Sequence, residues 1–164
     1  KIAGIAEAGT QSQRARGKLG IKESDIPMVE AAERNPYAQG GFRVYDVKDR
    51  TKPKLLAFQK TGGIGVHRFD MDKDYAYIST EMEGYVGNIL VIYDIRKPEK
   101  PQEVSRWWMP GQNLAAGEKP SWAGKRHRLH HALRFGDKSW AGCWHAGVRV
   151  IDVSDIRAPK TIGE

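Results

Sequence analysis

Val148-Arg149-Val150-Ile151-Asp152-Val153-Ser154-Asp155, followed by Pro159, is the stretch that decides how this chain is read. It is a short run rich in β-branched residues that stops at an aspartate. Two other stretches end the same way: Gly41-Phe42-Arg43-Val44-Tyr45-Asp46-Val47 and Ile89-Leu90-Val91-Ile92-Tyr93-Asp94-Ile95. In each, a proline stands seven residues past the aspartate, at Pro53, Pro101 and Pro159. Aspartate bonds its own backbone in a turn, and proline fixes φ and cannot continue a ladder, so the pair marks a strand end, a turn and the next strand. Unrelated hairpins in a β-sandwich would not keep that gap constant.

The stretches between the aspartates also match. Val66 to Glu81 overlays His130 to His145 without gaps, which puts His67 on His131, Phe69 on Leu133, Met71 on Phe135 and Glu81 on His145. Asp46 precedes His67 by 21 residues, whereas Asp94 precedes His131 by 37, so the later unit carries 16 extra residues, mostly at about 109–130. A period of 48 and then 58 residues suits a four-stranded propeller blade. The expected strands are 65–71, 75–80, 88–95 and 103–108. The fold expected is therefore all-β: a β-propeller with four-stranded blades, here an incomplete set of about two to three. Since a ring closes only with at least four blades, the rest is expected from further sequence or from another chain.

These repeats resemble the LVIVD-repeat β-propeller family, whose units read aliphatic strand, Asp, Val, Ser, Asp, turn, Pro. Residues 148–159 match closely and residues 41–54 and 89–101 more loosely, so the resemblance spans about 41–164. It implies the propeller fold and says little about chemistry. Residues 1–40 stand outside it, as an irregular or inserted segment read as a connection between the second and third strands of an earlier blade. Within it, Ser24 to Arg34 could start a short helix capped by Ser24 or Asp25.

Composition sets further bounds. Of 164 residues, 40% are hydrophobic and 29% charged, enough for a core and against global disorder. No apolar run approaches the length of a transmembrane helix. The single cysteine, Cys143, excludes an internal disulfide and a cysteine-only zinc site, and is read as a packed thiol. The net charge of +7 permits an anionic partner. Its local densities, at 13–18 and 125–128, come without any nucleic-acid-binding motif, and are read as solvated surface. The chain opens on Lys1, which reads as a processed or cut end and leaves the compartment undetermined. Neither a nucleophile elbow nor a P-loop is present.

The histidines carry the functional reading. In a propeller the first strand of each blade is innermost, and its start lies on the same face as the end of the second strand. His67 and His131 start first strands, and Glu81 and His145 end second strands, so all four are expected to converge near the axis. Imidazoles around one point form a site for a divalent transition metal, Fe, Cu, Mn or Zn. The expected ligands are His67, His131 and His145, with Glu81 as the catalytic carboxylate or a further ligand. His131 is preferred to His130 because strand neighbours point to opposite faces. His130, Arg68 and Trp122 are candidates for contact with a small, aromatic or anionic substrate. The expected function is a metal-dependent propeller enzyme, an oxidoreductase/oxygenase or a lyase. The alternatives are a non-catalytic propeller binding protein or polysaccharide, and an anion or nucleic-acid site on the basic insertion around Arg126 and Arg128.

Overall fold

Ile89-Leu90-Val91-Ile92-Tyr93 is apolar at every position, so a strand there must bury both of its faces. The computed structural model of the chain describes residues 2–5, as backbone alone, and residues 40–62, 65–122 and 127–164. In it the strands form three antiparallel sheets. The first contains β1 (Ile2–Ile5), β2 (Gly41–Asp46) and β3 (Lys54–Lys60). The middle sheet contains β4 (Val66–Met71), β5 (Tyr75–Thr80), β6 (Ile89–Asp94) and β7 (Gln102–Trp107). The third contains β8 (His127–Phe135), β9 (Lys138–Trp144), β10 (Val148–Asp152) and β11 (Lys160–Gly163). In every sheet the strands lie side by side in chain order, and none of the three closes on itself. The short helix expected at Ser24 lies outside the described residues, as do Lys125 and Arg126. Because β1 pairs with β2 from Ile2↔Val44 to Ile5↔Gly41, residues 6–39 connect two neighbouring strands of one sheet.

The middle sheet is sandwiched. From β6, Ile89, Val91 and Tyr93 pack with Phe42 and Val44 of the first sheet. Leu90 and Ile92 point the other way, into a second cluster with Leu129, Ala132, Ala141, Cys143 and Ile151 of the third sheet. All five β6 residues are essentially inaccessible. Burying each such side chain stabilises the fold by roughly 1.5–3 kcal/mol, so β6 anchors both junctions. Trp107 closes the second cluster at its outer end, as a tryptophan packed between sheets.

The three aspartates do the turn chemistry their position demands. Asp46 Oδ1 accepts the Lys48 N–H, Asp94 Oδ1 that of Arg96, and Asp152 Oδ1 that of Ser154, each at 2.9 Å. A second turn follows in each copy, closed by Lys52 N–H to Asp49 O, Lys100 N–H to Lys97 O and Ala158 N–H to Asp155 O. The prolines come next, and β3, β7 and β11 begin on the residue after them.

Polar contacts stitch the middle and third sheets together from the first strand of each to the last. His131 donates its Nε2–H to the Phe69 carbonyl at 3.0 Å. Ser79 Oγ donates to Leu129 O at 3.0 Å, Ser105 Oγ to Ile156 O at 2.6 Å, and Trp107 Nε1 to Thr161 Oγ1 at 3.0 Å. Arg134 gives its backbone N–H to Asp70 Oδ2 at 2.9 Å and its guanidinium to Asp72 Oδ2 at 2.7 Å and to the Tyr77 hydroxyl. Burial raises the Asp72 pKa. The Asp74 and Tyr75 N–H groups, the Tyr77 hydroxyl and Arg134 outweigh that and hold the carboxyl below its usual range.

Strand pairing fixes the register between repeats. Ile95 N–H bonds Asp74 O in the middle sheet, and Val153 N–H bonds Asp137 O in the third. Met71 pairs with Ala76 as Arg134 pairs with Ser139. Asp74 therefore corresponds to Asp137 and Met71 to Arg134, an offset of 63 residues. The match of Val66–Glu81 to His130–His145 implies 64. One residue of slip exchanges the two faces of a strand, so the true counterpart of His67 is His130 and that of Glu81 is Trp144.

Candidate functional site

The first strands of the middle and third sheets both begin with an irregularity. In β4, Val66 pairs with Thr80 and Arg68 with Ser79, which leaves His67 as an extra residue. In β8, His127 pairs with Trp144 and His131 with Gly142, so residues 128–130 stand opposite Cys143 alone. Bulges re-aim side chains that regular alternation would send elsewhere. Here they bring His67 and His130 together: the two imidazoles meet edge to face, with ring centres 4.9 Å apart and planes at 73°.

Aromatic and cationic groups surround the pair. Trp144 lies edge to face with His130 at 5.6 Å. The Arg128 guanidinium sits 5.5 Å from the Trp144 ring centre. Trp122 stacks on His127 at 4.9 Å and 12°. The His130 pKa is pushed below the ordinary imidazole range, first by burial and then by its electrostatic neighbours, Arg68 foremost. That shift favours the neutral imidazole of His130, the form that donates a lone pair.

The other expected site residues fall as follows. Glu81 is fully buried. It directly follows Thr80, the partner of Val66, so it lies at the His67 end of the β4–β5 pair. His131 is turned to the β4 backbone, with Nε2 engaged by the Phe69 carbonyl, rather than paired with His67. His145 is exposed, at the tip of the tight β9–β10 turn closed by Ala146 N–H to Cys143 O and Gly147 N–H to Trp144 O. Arg68 is exposed beside His67, and Trp122 is buried. Among the described residues no group of three or more His, Cys, Asp and Glu side chains converges as a metal shell. The donor set in contact is the His67–His130 pair.

Two loops shape this end of the sheets. Gln112, fully buried, donates its amide to the Val86 and Asn88 carbonyls at 2.8 and 3.1 Å and accepts the Met109 N–H at 2.9 Å. Asn88 O in turn accepts the Leu129 N–H at 2.9 Å, tying the loop to the start of β8 next to His130. Glu118 gathers the insertion by accepting the Gly111 and Asn113 N–H groups and Trp108 Nε1. Gly87 adopts φ 71°, and a Cβ there would stand 2.8 Å from the Arg128 Cβ. A side chain at that position would displace the arginine above Trp144. Gln112, Glu118 and Gly87 belong to no motif, and only the closed loops reveal their roles.

No protein-family model matches the chain, and no curated protein aligns with it.

Proposed function

We propose that the chain forms part of a metal-dependent β-propeller enzyme of the LVIVD-repeat kind, with a divalent transition metal, Fe, Cu, Mn or Zn, held at His67 and His130. The observation that carries this reading is the approach of those two rings to 4.9 Å from equivalent positions in successive sheets. Two imidazoles sharing one ion through bonds of about 2.1 Å bring their ring centres to roughly 5 Å. A repeat that sends one imidazole per sheet to the same place suits a radial array, where equivalent positions face a common axis. The buried Glu81 carboxylate, at the same strand end, serves as a further ligand or as a base. A bound divalent ion supplies Lewis acidity toward water, dioxygen or a substrate oxygen. Trp144 and Arg128 offer a ring face and a positive charge, which suit a small aromatic or anionic substrate.

The test is metal binding by the purified chain. Loaded with Cu(II) or Zn(II) and passed through a desalting column, it is expected to retain metal, with nitrogen coupling in the Cu(II) electron paramagnetic resonance spectrum. His67→Ala and His130→Ala should each weaken retention at least tenfold, since even changes beyond the ligands typically cost 10–100-fold. His145→Ala, in the exposed turn, should retain metal like the parent chain. Equal retention in all three variants, or none in the parent, would remove the metal reading.

A further inference from the structure

Both junctions in the molecule are made from the same two faces of the repeat. The face of the first sheet carrying Phe42 and Val44 meets the middle sheet. The corresponding face of the middle sheet, carrying Tyr77, Leu90 and Ile92, meets the third. By strand register the corresponding face of the third sheet carries Leu133, Trp140, Val148 and Val150, since Trp140 pairs with both Leu133 and Val150, and Val148 with Gly142. Among the described residues nothing covers that face: Leu133 is 39% exposed, Trp140 47% and Val148 54%, with Phe135 at the end of β8 at 68%. Contiguous exposed apolar surface of this kind marks an interaction site.

On the first sheet the opposite face of the repeat is open among the described residues. Tyr45 pairs with Leu55, and Arg43 and Phe58 are paired, so all four share the side of the first sheet turned away from the middle one. Leu55 is 55% and Phe58 41% exposed. Tyr45 corresponds to Tyr93 and Ile151, one residue before the conserved-spacing aspartate in each repeat. Those two are the β6 and β10 residues that face the preceding sheet at the existing junctions.

We infer that the open face of the third sheet, Leu133, Phe135, Trp140 and Val148, docks the open face of the first sheet, Tyr45, Leu55 and Phe58, of a second copy of this chain. The occupant follows from continuity: the two open faces are the halves of a junction the molecule already makes twice. Both are apolar, and Arg43, already 4.9 Å above the Phe58 ring, brings a cation to the Trp140 side. The contact is heterologous, so two copies joined at both ends would align six sheets in one series. The inference rests on strand register and exposure, and does not depend on the metal site.

Sedimentation velocity over a dilution series tests it. The parent chain is expected to pass from monomer to a species of twice its mass as concentration rises. Trp140→Glu, on one face, and Phe58→Glu, on the other, should each weaken association at least tenfold. An equimolar mixture of the two variants should regain a dimer through its one intact junction. Circular dichroism checks folding, and Phe135→Glu, at the most exposed of these positions, replaces Trp140→Glu should the latter not fold. A parent chain that stays monomeric at every concentration overturns the inference. So does a dimer that survives Phe58→Glu, because that outcome means third faces pairing with each other.

Discussion

Leu90→Ala is expected to lower the stability of the chain by about 2–5 kcal/mol, while Val148→Ala, at the corresponding place in the next repeat, costs less than about 1 kcal/mol. Leu90 and Val148 occupy one register position, four residues before the turn aspartates Asp94 and Asp152. Leu90 is 0% exposed in the cluster between the middle and third sheets, and Val148 is 54% exposed on a face that no described residue covers. Truncating Leu90 leaves a cavity bounded by two sheets, each held by hydrogen bonds that resist collapse. Truncating Val148 leaves only solvent. Urea unfolding below the concentration of self-association measures both. Equal losses would mean that the two positions have the same surroundings, and the order of the sheets would have to be redrawn.

Gly41→Ala is expected to cost about 3 kcal/mol or more, the combined weight of backbone strain and a clash that cannot relax. Gly41 opens β2 at φ 149°, and a Cβ built there falls 2.1 Å from the carbonyl oxygen of Gln59 on the paired strand. That oxygen belongs to the β2–β3 ladder and cannot swing aside as a flexible side chain would. The damage should spread, because the backbone of Gly40 and Gly41 also lies against Gly65, where a Cβ would stand 2.8 Å from the Gly40 Cα. Gly65 leads directly into β4 and His67. A thermal melt of Gly41→Ala should show a midpoint lowered by several degrees, and its metal retention should fall with it. A variant within about 0.5 kcal/mol of the parent would contradict the tight approach of these strands.

The all-β architecture was legible because its signals are local. Each Asp-to-Pro interval encodes an aspartate-closed turn followed by a strand, and the three intervals produce turns closed by equivalent hydrogen bonds. β4 to β7 lie within one residue of the positions expected from pattern alone. The site was half legible. His67 and Glu81 lie where the strand pattern expects them, at one end of the β4–β5 pair. Regular alternation through both strand starts, with the overlay at an offset of 64, favours His131 over His130. The bulges at 66–68 and 127–131 break that alternation. A bulge depends on which residues oppose each other across the ladder, which the sequence of one strand does not encode. His145 also depends on the register. Its true counterpart in the middle sheet is Met82, and β9 ends in a tight turn where β5 runs on into a longer connection.

The packing of Cys143 gives the molecule a built-in clock. Its thiol is inaccessible in the cluster between the middle and third sheets, and burial pushes its pKa up to about 12. Native chains therefore hold almost no thiolate for an alkylating reagent to meet. Modification must wait for the third sheet to swing away, so the labelling rate of this single thiol reads out how often the junction beside His130 opens.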